Sequence, residues 1–238
     1  MFQTYDSIQR LNGRSVPPDD RPVSTPDTKE RLLDAAEEIF AEHGYGGTSL
    51  RAVTTAAAVN LAAVHYHFGG KRELFQAVFE RRVHGLNAER LRRLDELEQR
   101  PEPASVEELV EALVDPAIQR ATAGDEGWAR FGRLIARLNS SGGEHFEAIR
   151  EVFKEIHLRF FPAFQKALPH LSEAELFWRV HFLLGAMCSL LSDPSRLGAM
   201  SGGLCDATNA DIASAQLCAF LSAGLNADNA KIPQRSAS

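Results

Sequence analysis

Apolar residues recur every three to four positions along most of the chain, and almost no stretch alternates with period two. The pattern therefore predicts an all-α protein. It is absent from residues 1–26, which are polar and hold Pro17, Pro18, Pro22 and Pro26, and which predict a flexible arm. Thr25-Pro26-Asp27 opens a first helix with Leu32, Leu33, Ala36, Ile39 and Phe40 as its stripe, and His43-Gly44 closes it. Thr48 or Ser49 caps a second helix, Ala58-Val59 is a turn, and Asn60 caps a short third helix running to about His65. Phe68-Gly69-Gly70 breaks it. A long amphipathic helix follows from Lys71 to about Gln99, stopped by Arg100-Pro101-Glu102-Pro103. Further helices are predicted at 105–123, 128–140, 144–168, 172–192 and 210–224. The connection 193–209 is long for a helix–helix link and is either disordered or put to use. The resulting division is an arm at 1–26, a helix-turn-helix unit at 27–74, a larger helical unit at 75–226 and a flexible tail at 227–238.

Length and composition narrow the class. The 238 residues suit one or two domains, and 44% hydrophobic with 24% charged residues excludes disorder throughout. No apolar run approaches the roughly 18–20 residues of a membrane span; the longest, Val180 to Leu191, is interrupted by His181 and Ser189. The opening Phe2-Gln3-Thr4-Tyr5-Asp6 lacks the apolar core of a signal peptide. Cys188, Cys205 and Cys218 are too few and too scattered for a disulfide framework or zinc site, which predicts a reducing cytoplasm. The net charge of −6 argues against coating nucleic acid by bulk electrostatics, yet a local basic patch still works on an acidic chain.

The chemistry is concentrated in residues 27–75. Three short helices with a tight turn between the second and third describe a helix-turn-helix unit, whose third helix enters the DNA major groove. Thr48 and Ser49 offer hydroxyls at a helix start where a phosphate can sit, and Arg51 reaches a base edge or a phosphate. Asn60 suits adenine, and Leu61, Ala62 and Ala63 suit thymine methyls. Tyr66 and His67 can donate to phosphates, and Lys71 supplies a point charge. Plainer roles exist: Thr48 and Asn60 are caps in any helical protein. His65 and His67 have no Cys, Asp or Glu at ligand spacing, so no metal is expected. The arm, with Arg10, Arg14 and Arg21 balanced by Asp6, Asp19 and Asp20, is a plain leader or a segment touching DNA beside the main site.

The run from Val59 to Leu74, Val-Asn-Leu-Ala-Ala-Val-His-Tyr-His-Phe-Gly-Gly-Lys-Arg-Glu-Leu, resembles the signature of the TetR family of bacterial transcriptional regulators. So does Arg31 to Tyr45, followed by Thr48-Ser49-Leu50. The resemblance implies that three helices bind DNA and that the fourth links them to a larger helical domain, which binds a ligand and dimerises. By the same resemblance Thr48, Ser49, Tyr66, His67 and Lys71 fall at phosphate-contacting positions. Arg51, Asn60, Leu61, Ala63 and His65 fall where bases or nearby backbone are met. Two departures stand out: His65 replaces a frequent Tyr, and Gly70 replaces the usual Ser or Asn cap of the fourth helix. Leu168-Pro169-His170-Leu171-Ser172, with Trp178-Arg179 and Phe182 to Met187, resembles a branch that includes regulators of fatty-acid metabolism.

In the larger unit Phe131, Leu134, Ile135, Leu138, Phe153, Ile156 and Phe160 are either plain core or the lining of an apolar cavity, with His157 and His181 as polar anchors. Leu176, Phe177, Val180, Leu183, Leu184, Met187 and Leu191, with Leu217, Phe220, Leu221 and Leu225, exceed what one buried face needs. The last two helices are therefore expected to form a homodimer. The expected partners are double-stranded DNA, a second copy and a small apolar ligand, fatty-acid-derived by the resemblance, with no membrane and no cofactor. The expected function is a homodimeric repressor released from a palindromic operator by its ligand. The alternative is an activator or a regulator that acts without one. An enzyme is not expected, since no nucleophile elbow, phosphate-cradling glycine loop or metal cluster occurs.

Overall fold

A computed structural model describes residues 25–140 and 146–228, and among them every regular element is a helix. The order is α1 (Thr25–Gly47), α2 (Leu50–Ala56), α3 (Leu61–His67), α4 (Lys71–Glu98), α5 (Val106–Thr122) and α6 (Glu126–Ser140). It continues with α7 (Phe146–Val152), α8 (Lys154–Ala167), α9 (Glu173–Ser192), α10 (Ser195–Met200) and α11 (Ala210–Asn226). Apart from Thr25 and Pro26, which begin α1, and Ala227 and Asp228, the expected arm and tail lie outside the described residues.

Local chemistry sets these boundaries. Gly44 takes φ 69°, a conformation a side chain resists, and turns the chain at the His43-Gly44 pair. Ser49, Asn60 and Asn209 cap α2, α3 and α11 by accepting from the amides of Ala52, Ala63 and Ile212. Ser105 with Glu108 and Ser172 with Glu175 form reciprocal capping boxes on α5 and α9. Gly70 leads into α4 with no side-chain cap.

Two expected elements differ. The helix predicted at 144–168 is two helices, α7 and α8, which meet where Phe153 leaves helical geometry (φ −101°, ψ 6°). An apolar periodicity that continues across the join hides such a break. The 193–209 connection is ordered rather than bare loop. Asp193 accepts from the amides of Ser195 and Arg196 to start α10, and Asp206 accepts from Thr208 just before the Asn209 cap.

The core runs without interruption from the small helices into the bundle. Phe40, Phe75 and Phe79 are fully buried, and successive ring centroids lie 4.9 Å (Phe40–Phe75), 5.0 Å (Phe75–Phe79) and 5.1 Å (Phe79–Phe131) apart. Tilted and edge-on pairs of this kind add to simple area burial. The string joins α1 to α6 through α4, which crosses the expected 74/75 division as one helix. Helices α6 and α9 touch at Gly132, where an added Cβ would lie 2.7 Å from the Leu191 carbonyl oxygen. Their backbones approach as only glycine permits.

Candidate nucleic-acid interface

Helices α2 and α3 are held by a turn that leaves little freedom. Val53 and Val64 are fully buried beneath it. The Val59 amide donates to the Thr54 carbonyl at 3.0 Å, and Ala58 adopts φ 51°. Arg31 of α1 donates to the Ala57 and Ala58 carbonyls, clamping the turn to the first helix. That role of Arg31 was not legible beforehand, since nothing local ties it to residues 26 and 27 positions away.

The expected DNA-facing residues divide into three groups. Asn60, Leu61, His65 and Tyr66 are exposed on one side of α3, with Tyr66 80% accessible, and Arg51 is exposed on α2. Ala63, His67 and Lys71 are half-buried beside them. The Lys71 ammonium lies 4.5 Å from the centre of the Tyr45 ring, a cation–π contact that fixes its position. The His65 Nδ1 lies 2.9 Å from the Gly69 carbonyl. A carbonyl only accepts, so Nδ1 carries a proton. Thr48 stands apart, only 4% exposed, with its hydroxyl donating to the Gly44 carbonyl at 2.7 Å. It locks the α1–α2 corner, and Ser49 beside it is the cap. Asn60 holds its capping role on an exposed position, so both sequence readings of it remain compatible with its place.

Charge favours DNA on this face. From His43 to Arg72 the chain has Arg51, Lys71 and Arg72 and no carboxylate at all, although the protein as a whole carries −6. A run of thirty residues without a carboxylate on an acidic chain suits site-restricted phosphate binding.

Behind this face sits a buried charge cluster. Glu37 of α1 is 1% exposed. Arg81 donates to it at 2.5 Å and Arg82 at 2.8 Å from α4, while the Arg130 Nε of α6 lies 3.8 Å away. Arg81 also reaches Asp34 at 2.7 Å. Burial opposes the Arg81 charge, and the Glu37 and Asp34 carboxylates more than offset it, so its pKa stands above the ordinary value. The Arg82 guanidinium occupies the space a Cβ on Gly127 would fill, at 2.3 Å. One carboxylate thus ties α1 to the two helices that carry it on the bundle.

The expected ligand-lining residues are scattered. Phe131, Leu134, Leu138, Ile156 and Phe160 are buried in the core, and Ile135 and Phe153 are partly buried against it. His157 and His181 are not interior anchors. Both are exposed, His157 beside Phe161 and Phe177, His181 beside Trp178 and Phe182. His181 lies beside Phe182 on the outward side of α9, and His157 faces outward on α8 next to the buried Ile156, Phe160 and Phe161, so periodicity alone misplaced them. A cavity of about 120 Å³ opens elsewhere, at the far end of α4, between Leu94, Leu97, Leu109, Ala163 and Ala167, with Glu98, Arg100, Glu102 and Lys166 also in its lining.

The expected dimer helices keep an apolar exterior, but partly through other residues. Leu176, Leu183, Met187, Leu221 and Leu225 are core within one protomer. Phe177, Leu184 and Phe220 are exposed, and so are Trp178, Phe182 and Ile212, which sequence reasoning passed over. Helix α9, 20 residues long, is apolar enough by length and composition to cross a membrane. Here its inner side packs on α6 and α11, and Arg179 donates to the carbonyls of Leu225 and Ala227.

The helix order and the carboxylate-free α2–α3 face define a helix-turn-helix DNA-binding protein of the two-unit helical type. Residues 32–78 match the profile described as bacterial regulatory proteins of the tetR family, and residues 111–224 match that of the tetracycline repressor-like C-terminal domain. The chain belongs to the TetR family of DNA-binding transcriptional regulators, which are not enzymes. Among relatives, it is 40% identical over 60 residues to the regulator SrpR of Pseudomonas putida, covering 25% of this chain and 28% of that one. It is 38% identical over 64 residues to the repressor AcnR of Corynebacterium efficiens, covering 27% and 32%. These matches span less than half of the relatives' own length. In fold, the chain is similar to FadR of Bacillus subtilis in complex with stearoyl-CoA, at TM-score 0.56 and 16% identity, covering 82% of this chain and 98% of that one.

Proposed function

We propose that the protein is a homodimeric repressor that holds a roughly palindromic operator and releases it when a small apolar ligand enters the larger unit. The observation that carries the DNA part is the α3 face, where Asn60, Leu61, His65 and Tyr66 stand outward on a turn clamped by Arg31. Two such helices about 34 Å apart read successive major grooves. Phosphate contacts fall to Ser49, Tyr66, His67 and Lys71, and base-side contacts to Arg51, Asn60, Leu61, Ala63 and His65. The exposed apolar faces of α9 and α11 support dimerisation, since apolar surface of that extent is seldom left in water. The FadR structure similar in fold holds stearoyl-CoA, which supports an apolar ligand of fatty-acid origin. A DNA-bound regulator of this kind works in the cytoplasm.

Release requires that the ligand bind one dimer shape more tightly than the other. A regulator that acts without a ligand is the second reading, favoured by the close packing of Phe131, Leu134 and Leu138. Selection from a random DNA pool tests the main reading. An enriched palindrome is the expected result. No enrichment, even after unfolding and refolding the protein to strip bound ligand, overturns it.

A further inference from the structure

Arg90 is a buried cation with no counter-ion among the described residues. It projects from the middle of α4 and is 2% exposed. No carboxylate pairs with it among the described residues; the charged group that bears on it is another cation, Arg120, and the nearby Cys188 is a thiol whose pKa burial pushes up. Burial lowers its pKa to about 10, so it remains protonated at neutral pH. An arginine placed this way ordinarily has an acid beside it.

Its hydrogen bonds explain one nitrogen and not the other two. Nε donates to the Leu113 carbonyl at 2.7 Å. Pro116 sits inside α5 three residues on and withholds its amide from the Ala112 carbonyl, so this turn of α5 is already short of one donor. The two terminal nitrogens, which form the fork that grips an oxyanion, are poorly served. Nη1 reaches the Asn87 amide oxygen at 3.3 Å, and Nη2 reaches only the Met187 thioether at 3.6 Å. A thioether is a weak acceptor, and methionine is the side chain that most easily moves aside.

A route to this site lies on the same two helices. The 120 Å³ cavity at the end of the bundle is walled on its inner side by Leu94 and Leu109. Each lies four residues, about 6 Å of helix, from Arg90 and Leu113 respectively. The seam between α4 and α5 thus carries a cavity lined by apolar side chains together with Glu98, Arg100, Glu102 and Lys166, then an apolar plug, and a buried cation beyond it.

We propose that Arg90 is the seat for the anionic group of an amphipathic effector, an oxyanion on an apolar chain. This rests on the proposed ligand-responsive function and names the ligand's chemistry. The oxyanion takes both terminal nitrogens of Arg90 and displaces the Met187 sulfur. The apolar chain lies along Leu94 and Leu109 toward the cavity. Met187 belongs to α9 and Arg90 to α4, so occupancy bears at once on the expected dimer helix and on the helix behind the DNA-facing unit.

The test uses the full-length protein with decanoate, decyl phosphate and decanol as probes, followed by calorimetry. Wild type should bind one or both anions saturably and at least tenfold more tightly than decanol; the two anions decide whether carboxylate or phosphate is preferred. Arg90→Met should lose that preference and, without any probe, melt no lower than wild type, because an uncompensated buried charge has been removed. Arg90→Lys, which keeps the charge without the fork, should bind the anions more weakly than wild type and more tightly than Arg90→Met. Failure of both anions to bind wild type, or equal anion binding by Arg90→Met, overturns the proposal. So does a clear fall in the melting temperature of probe-free Arg90→Met, which makes Arg90 a structural strut. Operator binding measured on the same samples without probe keeps the two readings apart: its absence condemns the regulator, and anion binding is scored independently.

Discussion

Replacing Glu37 with glutamine removes the charge on which Arg81, Arg82 and Arg130 converge and barely changes the volume. Stripping one partner from a buried ion pair costs about 3–5 kcal/mol. Here the low end applies. The Arg81 and Arg82 side chains are 22% and 21% exposed, so both reach water, and Arg81 retains Asp34. A loss of about 3 kcal/mol in a chain of this size lowers Tm by roughly 6–12 °C. Asp34→Asn is the internal control. Its carboxylate is 72% exposed and shares the same arginine, so the change should cost at most about 1 kcal/mol. Thermal unfolding followed by circular dichroism compares the two directly. If Glu37→Gln melts within a degree or two of Asp34→Asn, the cluster does not tie α1 to α4 and α6. The same variant should also respond less to effector in an operator-release assay, since α1 would be less firmly coupled to the bundle.

Asn60→Asp retains the cap of α3 and should leave Tm nearly unchanged, while its carboxylate, facing DNA, should weaken operator binding at least tenfold in a gel shift. Asn60→Ala should instead lower stability by about 1 kcal/mol, the usual worth of a cap. Phe182→Glu or Phe220→Glu should turn dimers into monomers in sedimentation, and operator binding should fall with them. Acid should unfold the protein partly through two carboxylates. Arg92 and Arg93 hold Glu89, and Arg100 with the Ser105 amide holds Glu108, each at about 2. A lowered folded-state pKa adds stability above the ordinary carboxylate range and loses it as pH falls toward 2. The urea midpoint of Glu89→Gln should therefore drop less between pH 5 and pH 3 than that of wild type.

Most of the fold was legible because it is written locally. Asn60, Ser105, Ser172 and Asn209 each bond an amide three residues on, and Gly44 marks a turn only glycine takes easily. The α3 face was legible for the same reason: seven residues of helix leave few choices of outward side. What lay beyond reach depends on residues distant in sequence. Arg31 clamps a turn 26 residues away, Glu37 meets Arg81 44 residues on, and Arg90 meets Met187 97 residues on. Helix α9 misled for another reason. It is apolar on both sides, so its stripe could not say that Leu176 and Leu183 point inward while Phe182 and Leu184 point out. His157 and His181 read as buried because apolar residues flank them, yet each faces outward from its helix while Ile156, Phe160 and Leu183 point inward.

The central claim is that the α2–α3 face binds operator phosphates in a dimer. The direct measurement is the salt dependence of affinity for the selected operator, in wild type and in Lys71→Ala. Each phosphate neutralised contributes about −0.9 to the slope of log K against log salt. With one Lys71 in each protomer, the variant slope should be shallower by roughly 2, and the preferred sequence should be unchanged. A wild-type affinity indifferent to salt, or an identical slope in the variant, would contradict the account.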